Sequence, residues 1–125
     1  MIERERIIKN YVEGYNQFDI EKMTTDFIND IVFENIQNGE VNMTLTGIGE
    51  FREQAEKAKA YFSIRLQTIT AFHHFESKTE IEIDYYAVLA MDFPNGMKTG
   101  DELNLKGKSI FEFSDDKILK LSDIS

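Results

Sequence analysis

The chain has no cysteine among its 125 residues. That excludes a disulfide framework, a thiolate nucleophile and thiolate metal ligands. It fits a reducing compartment, and a cytoplasmic location is the expectation. Histidine is scarce too, with only His73 and His74, and neither stands in a His-x-His or Glu-x-x-His pattern. No metal site and no other cofactor are therefore expected. Fourteen Lys and Arg face 23 Asp and Glu, giving a formal net charge of -9. Nucleic acid and anionic membrane surfaces both call for clustered positive charge, so neither is an expected partner. No apolar run approaches the roughly 18 residues of a membrane span. The opening Met1-Ile2-Glu3-Arg4-Glu5-Arg6 is charged and lacks the apolar stretch of a signal peptide. The one proline, Pro94, lies in a turn sequence. With no repeat, low-complexity segment or linker-like composition, a single domain over 1–125 is expected.

What the chain does have is apolar content of 42%, including ten Phe, enough for one core. Its organising stretch is 79–93. The odd positions Ile81, Ile83, Tyr85, Ala87, Leu89, Met91 and Phe93 form an apolar row, while Glu80, Glu82 and Asp84 begin the other. Period-two alternation predicts a strand with one buried face, long for a small domain. Farther along the even row, Tyr86, Val88 and Ala90 make the outer face apolar as well. Such a patch needs a cover, and a second copy of the chain would supply one.

The remaining elements follow from spacing and punctuation. Ile7, Ile8, Tyr11, Val12 and Tyr15 predict a helix over about 3–17. Asp19 suits the N-cap of a short second helix, with Ile20, Met23 and Phe27 as its stripe. Short strands are expected at 31–36 and 41–46, around the turn signal Asn38-Gly39. Gly47 opens a third helix with Ile48, Phe51, Ala55, Ala58 and Phe62 on one side, and Glu53 and Lys57 paired on the wet side. Strands at 63–76, 102–113 and 118–124 complete the set, with Pro94-Asn95-Gly96 and Ser114-Asp115-Asp116 as turns. Helices first and mostly antiparallel strands after predict an α+β fold, with helices on one face of a curved antiparallel sheet.

The run Ile7-Ile8-Lys9-Asn10-Tyr11-Val12-Glu13-Gly14-Tyr15-Asn16-Gln17-Phe18-Asp19-Ile20-Glu21 resembles the opening of nuclear-transport-factor-2-like proteins. Among these it is similar to the SnoaL-like polyketide cyclases and the ketosteroid isomerases. The likeness continues through 27–35 and Gly47-Ile48-Gly49-Glu50-Phe51-Arg52 to Gly107–Phe113 and Lys117–Leu121, nearly the whole chain in order. It implies a cone-shaped curved antiparallel sheet with the N-terminal helices packed on its concave face, a cystatin-like fold. It also implies a deep apolar pocket for a small molecule, and a homodimer through the outer sheet face. The isomerase's oxyanion tyrosine on the first helix matches Tyr11. Its Asp base on the first strand is matched by Asn35, and its protonated Asp on a late strand by Ser109. An acidic group that resemblance to the cyclases would place near Ser109 is missing as well. Asn has no useful proton affinity near neutrality, so the usual base is absent. The resemblance thus supports a SnoaL-like protein binding a cyclic or carbonyl-bearing ligand, acting at most as an isomerase or dehydratase by another route. The alternative is a non-catalytic dimeric module whose cone is filled.

Three residues are catalytic candidates. Tyr11 would donate a hydrogen bond. One of His73 and His74 faces inward, since neighbours on a strand point opposite ways, and either serves as acid or base or is a hydrogen-bonded structural group; His73 is the expected catalytic one. Asp123 shares a strand face with Leu119 and Leu121, so it is either a buried carboxylate of raised pKa or a solvated group on a frayed strand end. Tyr15, Phe33, Asn35, Phe62, Tyr85, Leu89, Met91, Ser109 and Phe111 are the expected ligand-lining residues, a mainly apolar set with a few fixed polar groups. The loop 95–101 either covers the pocket mouth or is a hairpin end.

Overall fold

The computed structural model describes residues 2–125. The element order is α1 (Ile2–Asn16), α2 (Ile20–Thr24), β1 (Phe27–Gln37), β2 (Glu40–Thr46), α3 (Ile48–Lys59), β3 (Phe62–His74), β4 (Lys78–Leu89), β5 (Glu102–Ser114) and β6 (Lys117–Ile124). The strands form one six-stranded sheet in the order β2-β1-β6-β5-β4-β3. All its neighbours are antiparallel except β1 and β6, which run parallel. The sheet is open, and the expected α+β architecture is the one observed.

The apolar stripe of α1 buries Ile7, Ile8, Tyr11 and Val12 against the sheet. The helix ends in a Schellman motif, with Asp19 N–H bonded to Gly14 O at 2.8 Å and Phe18 N–H to Tyr15 O at 3.2 Å. That motif puts Phe18 in the left-handed region at φ 58°, where glycine is usual. Asp19 caps α2 as its type predicts, Oδ1 accepting from Lys22 N–H at 3.1 Å. The short second helix stops before Phe27, contrary to the expected stripe. The Thr24 and Thr25 hydroxyls donate back to carbonyls of Ile20 and Glu21 at 3.0 Å each, and Phe27 instead opens β1. Its ring remains buried, edge-on to Phe51 with centroids 4.9 Å apart.

The strand expected over 79–93 ends at Leu89. Beyond it the backbone turns away: Leu89 N–H bonds Asp101 O at 3.0 Å, and Phe93 N–H bonds Met97 O at 2.8 Å around the Pro94 turn. Met91 consequently lies on an exposed hairpin end, 42% accessible. In the other strands alternation holds, so the helix-facing row crosses the sheet as Met43, Asn35, Asp123, Ser109 and Ile81. An irregularity after Glu112 breaks this row in β6. Leu119 is skipped there and left exposed, while Ile118 and Leu121 are buried.

The edge strand β3 is tied to the end of α1 by one side chain. Asn16 Nδ2 donates to Gln67 O at 3.1 Å and its Oδ1 accepts from Gln67 N–H at 2.7 Å. An edge that would otherwise be open is thereby paired.

Candidate functional site

β6 carries the chemistry to the middle of the concave face. Its parallel pairing to β1 runs Phe33 to Leu121, Asn35 to Asp123 and Ile36 to Ile124, and Ser125 N–H bonds Ile36 O at 2.9 Å. The strand end is therefore held on both sides, and Asp123 points into the cone. Ser109, opposite on β5, donates its hydroxyl to Asp123 Oδ1 at 2.7 Å. Burial pushes the Asp123 carboxyl up from its ordinary 3.8 to about 6, although the Ser109 hydrogen bond pulls the other way. Near neutrality that group can exist in either protonation state, which suits acid and base work.

Two hollows meet at Asp123. The outer one, about 290 Å³, lies among Tyr15, Phe62, Gln67, Ile83, Tyr85 and Ser109. The inner one, about 180 Å³, lies under α3 among Tyr11, Phe33, Met43, Ala55 and Arg65. Tyr15, Asn35 and Asp123 border both. At the junction the Tyr15 and Tyr85 hydroxyls share a hydrogen bond at 2.8 Å. Burial raises both phenols above their ordinary pKa, so they are neutral donors at pH 7. Tyr11 is 4% exposed, stacks on Phe27 and meets Phe111 edge-on. Burial raises its phenol well above the usual value, and the charge of Asp123 adds to the rise. Its hydroxyl has no hydrogen-bond partner among the described residues. Asn35 donates to Asn42 Oδ1 at 2.8 Å, so its amide is oriented toward β2 and the rim.

The geometry thus gathers Tyr11, Tyr15, Phe33, Asn35, Phe62, Tyr85, Ser109 and Asp123 around two hollows that share part of their walls. Four other expected residues fall outside. His73 projects from the far face and pairs with Glu82 at 2.6 Å, its side chain 50% exposed. His74 does face the helices, but at the start of α1, bonding Glu5 at 2.7 Å and Thr79 at 2.9 Å. Alternation sends one histidine to each face, and the inward one sits beyond the hollows. Leu89 and Phe111 are fully buried and border neither hollow. Met91 lies past the end of its strand, as described above. The loop 95–101 is a hairpin end and lines neither hollow. Among the described residues no cluster of His, Asp or Glu could hold a metal ion.

Gln67 lines the outer hollow and Arg65 the inner one, and periodicity hides both. On β3 the row Ile64 and Leu66 is apolar and would be assigned to the core. The register inverts this: Arg65 opposes Ala87 and Gln67 opposes Tyr85, both on the buried face, while Ile64 and Leu66 are each 45% exposed. The signal was available only through pairing with β4, whose inward row is unambiguous.

No family model matches the sequence, and no curated protein matches it by sequence. Solved structures match across nearly the whole chain. A proposed polyketide cyclase from Xanthomonas campestris pv. campestris is 15% identical with a TM-score of 0.82, covering 98% of this chain and 90% of that one. A protein with a ketosteroid isomerase-like fold from Catenulispora acidiphila, in complex with trimethylamine, is 14% identical with a TM-score of 0.76, covering 94% and 82%. An LEH-like epoxide hydrolase of Mycobacterium tuberculosis is 13% identical with a TM-score of 0.76, covering 98% and 82%. At such identities the likeness establishes the fold. The fold of this chain is that of the cystatin-like, nuclear-transport-factor-2-like proteins, the group whose SnoaL-like members its sequence resembles.

Proposed function

We propose that the chain binds a small cyclic carbonyl compound in the cone and moves a proton on it, with Asp123 as the acid–base group. The observation that carries this reading is the Asp123 carboxyl at the junction of two largely apolar hollows, its pKa brought to about 6 by burial. The usual base position holds Asn35, so the base comes from the last strand instead. Asp123 carboxylate removes a proton from the carbon beside the carbonyl. The carbonyl oxygen then gains negative charge, and a tyrosine hydroxyl donates to it, with Tyr11 the free donor. Return of the proton from Asp123 to a different carbon completes an isomerisation with no net change in atoms or electrons. Ser109 is a positioning residue that fixes the carboxyl. Fold neighbours described as a polyketide cyclase, an isomerase-like protein and an epoxide hydrolase are consistent with a cavity fold used for such chemistry.

The test does not require the natural substrate. A panel of cyclic ketones is incubated with protein in D₂O, and exchange at the α-carbon is followed by proton NMR. Wild type should accelerate exchange, and Asp123→Asn should lose about 100-fold or more of that acceleration. No acceleration across the panel, or equal acceleration by Asp123→Asn, would remove Asp123 from the chemistry.

We also propose a homodimer through the outer sheet face. Leu66 pairs across to Tyr86 and Ile64 to Val88, placing four apolar side chains on adjacent strands of that face. Light scattering on wild type and Leu66→Glu should report a dimer and a monomer, and a monomeric wild type refutes the pairing.

A further inference from the structure

Arg65 is a buried cation with no anion beside it. It is 2% exposed and makes no ion pair with any described residue. Its Nε donates to Tyr15 O at 2.7 Å, at the C-terminal end of α1, where the helix dipole favours positive charge. The guanidinium is sandwiched, 3.9 Å from the Tyr15 ring centroid and 4.3 Å from that of Phe18. Phe18 is held at φ 58°, so the left-handed site that glycine would occupy more easily is used to bring a ring over Arg65. Among buried side-chain polar atoms of the described residues, Arg65 Nη2 is the one without a hydrogen-bond partner. A buried donor on a full charge is among the most unfavourable groups to leave unmatched. Arg65 also borders the inner hollow, together with Tyr11 and Asp123.

We infer that Arg65 is the anchor for a carboxylate on the ligand, and that the cavity is built for a cyclic monocarboxylic acid rather than a neutral compound. A guanidinium edge matches the plane of a carboxylate, and a charge-assisted bond to the part of Arg65 that borders the hollow would match its charge. The local charge limits the ligand to one negative charge. Among the described residues Arg65 is the only cation bordering the inner hollow, and Asp123 shares that hollow, so a phosphate dianion would sit against a carboxylate with too little compensation. Apolar neighbours Phe33, Met43 and Ala55 would cover the ring while the acid group reaches Arg65. This inference rests on the cavity reading above and adds to it the class of ligand.

The experiment compares matched acids and amides: benzoate with benzamide, and 4-oxocyclohexanecarboxylate with its amide. Binding to the full chain is measured by calorimetry at constant ionic strength. Each acid should bind about 10- to 100-fold more tightly than its amide, the range expected of one charge-assisted hydrogen bond. Arg65→Gln should erase that preference while leaving the amides within about threefold of their wild-type affinity. Equal affinity of acid and amide in the wild type overturns the role of Arg65 while leaving the cavity reading standing. A preference for acids that survives in Arg65→Gln also overturns it. Failure of all four compounds to bind counts against the cavity reading itself, and this inference falls with it. Should Arg65→Gln not fold, the wild-type acid-to-amide ratio decides the matter alone.

Discussion

Replacing Asp123 by Asn should make the protein more stable at neutral pH, although it removes the proposed acid–base group. The carboxyl has its pKa raised on folding from 3.8 to about 6. A raised acid favours its neutral form in the folded state. Its contribution to stability is therefore full below pH 3.8, and it is lost as pH rises through about 6. At about 1.4 kcal/mol per pH unit, the ionised group costs roughly 3 kcal/mol at pH 8. Asn keeps the shape and still accepts the Ser109 hydroxyl, so it avoids that cost without leaving a hole. The difference between variant and wild type should be about 3 kcal/mol at pH 8 and should vanish below pH 4. For a domain of this size that is a rise in Tm on the order of 10 °C at pH 8. Urea denaturation of both proteins at several pH values between 4 and 8 measures it. Equal stability at pH 8, or the same pH dependence in both proteins, would show that Asp123 is not held in a low-dielectric site. A gain in stability joined to a loss of proton exchange would show a functional group retained at a structural cost.

Three further changes probe the supports of the site. Ser109→Ala removes the hydroxyl that stabilises the Asp123 anion, so the carboxyl pKa should rise by about one further unit, read by carbon NMR titration; an unchanged midpoint would mean that bond is unimportant. Tyr85→Phe leaves the Tyr15 hydroxyl without its 2.8 Å partner and should cost about 1 kcal/mol in denaturation, whereas no loss would show that the pair is replaced by water. Gly14→Ala raises helix propensity by up to about 1 kcal/mol, yet its Cβ would stand 2.8 Å from Met23 N and 3.1 Å from Asp19 O, both backbone atoms. The clash should win, with a net loss of about 1–3 kcal/mol, and a stabilised variant would mean that α1 and α2 separate easily.

Most of the elements and their order are legible from local signals along the chain. The stripe of Ile7, Ile8, Tyr11 and Val12, the Asp19 cap and the alternation from Thr79 to Leu89 are local signals, because each depends on spacing within one segment. The family likeness and the α+β class followed from the same local information. Which residues line the hollows depends on contacts between distant segments. Tyr11, Asn35 and Ser109 were legible through the resemblance, yet the status of Asp123 was open until β1 paired parallel to β6 and held the last residues in place. The histidines looked chemically suited, but strand direction and the distance from the hollows put them elsewhere. Arg65 gave no local sign at all, since its own strand shows the more apolar row outward. Its burial comes from register with Ala87 on β4, 22 residues on, and from the end of α1, with Tyr15 50 residues back, folding over it. Local pattern fixes what an element is, whereas the charge state and partners of a buried side chain depend on every segment that surrounds it.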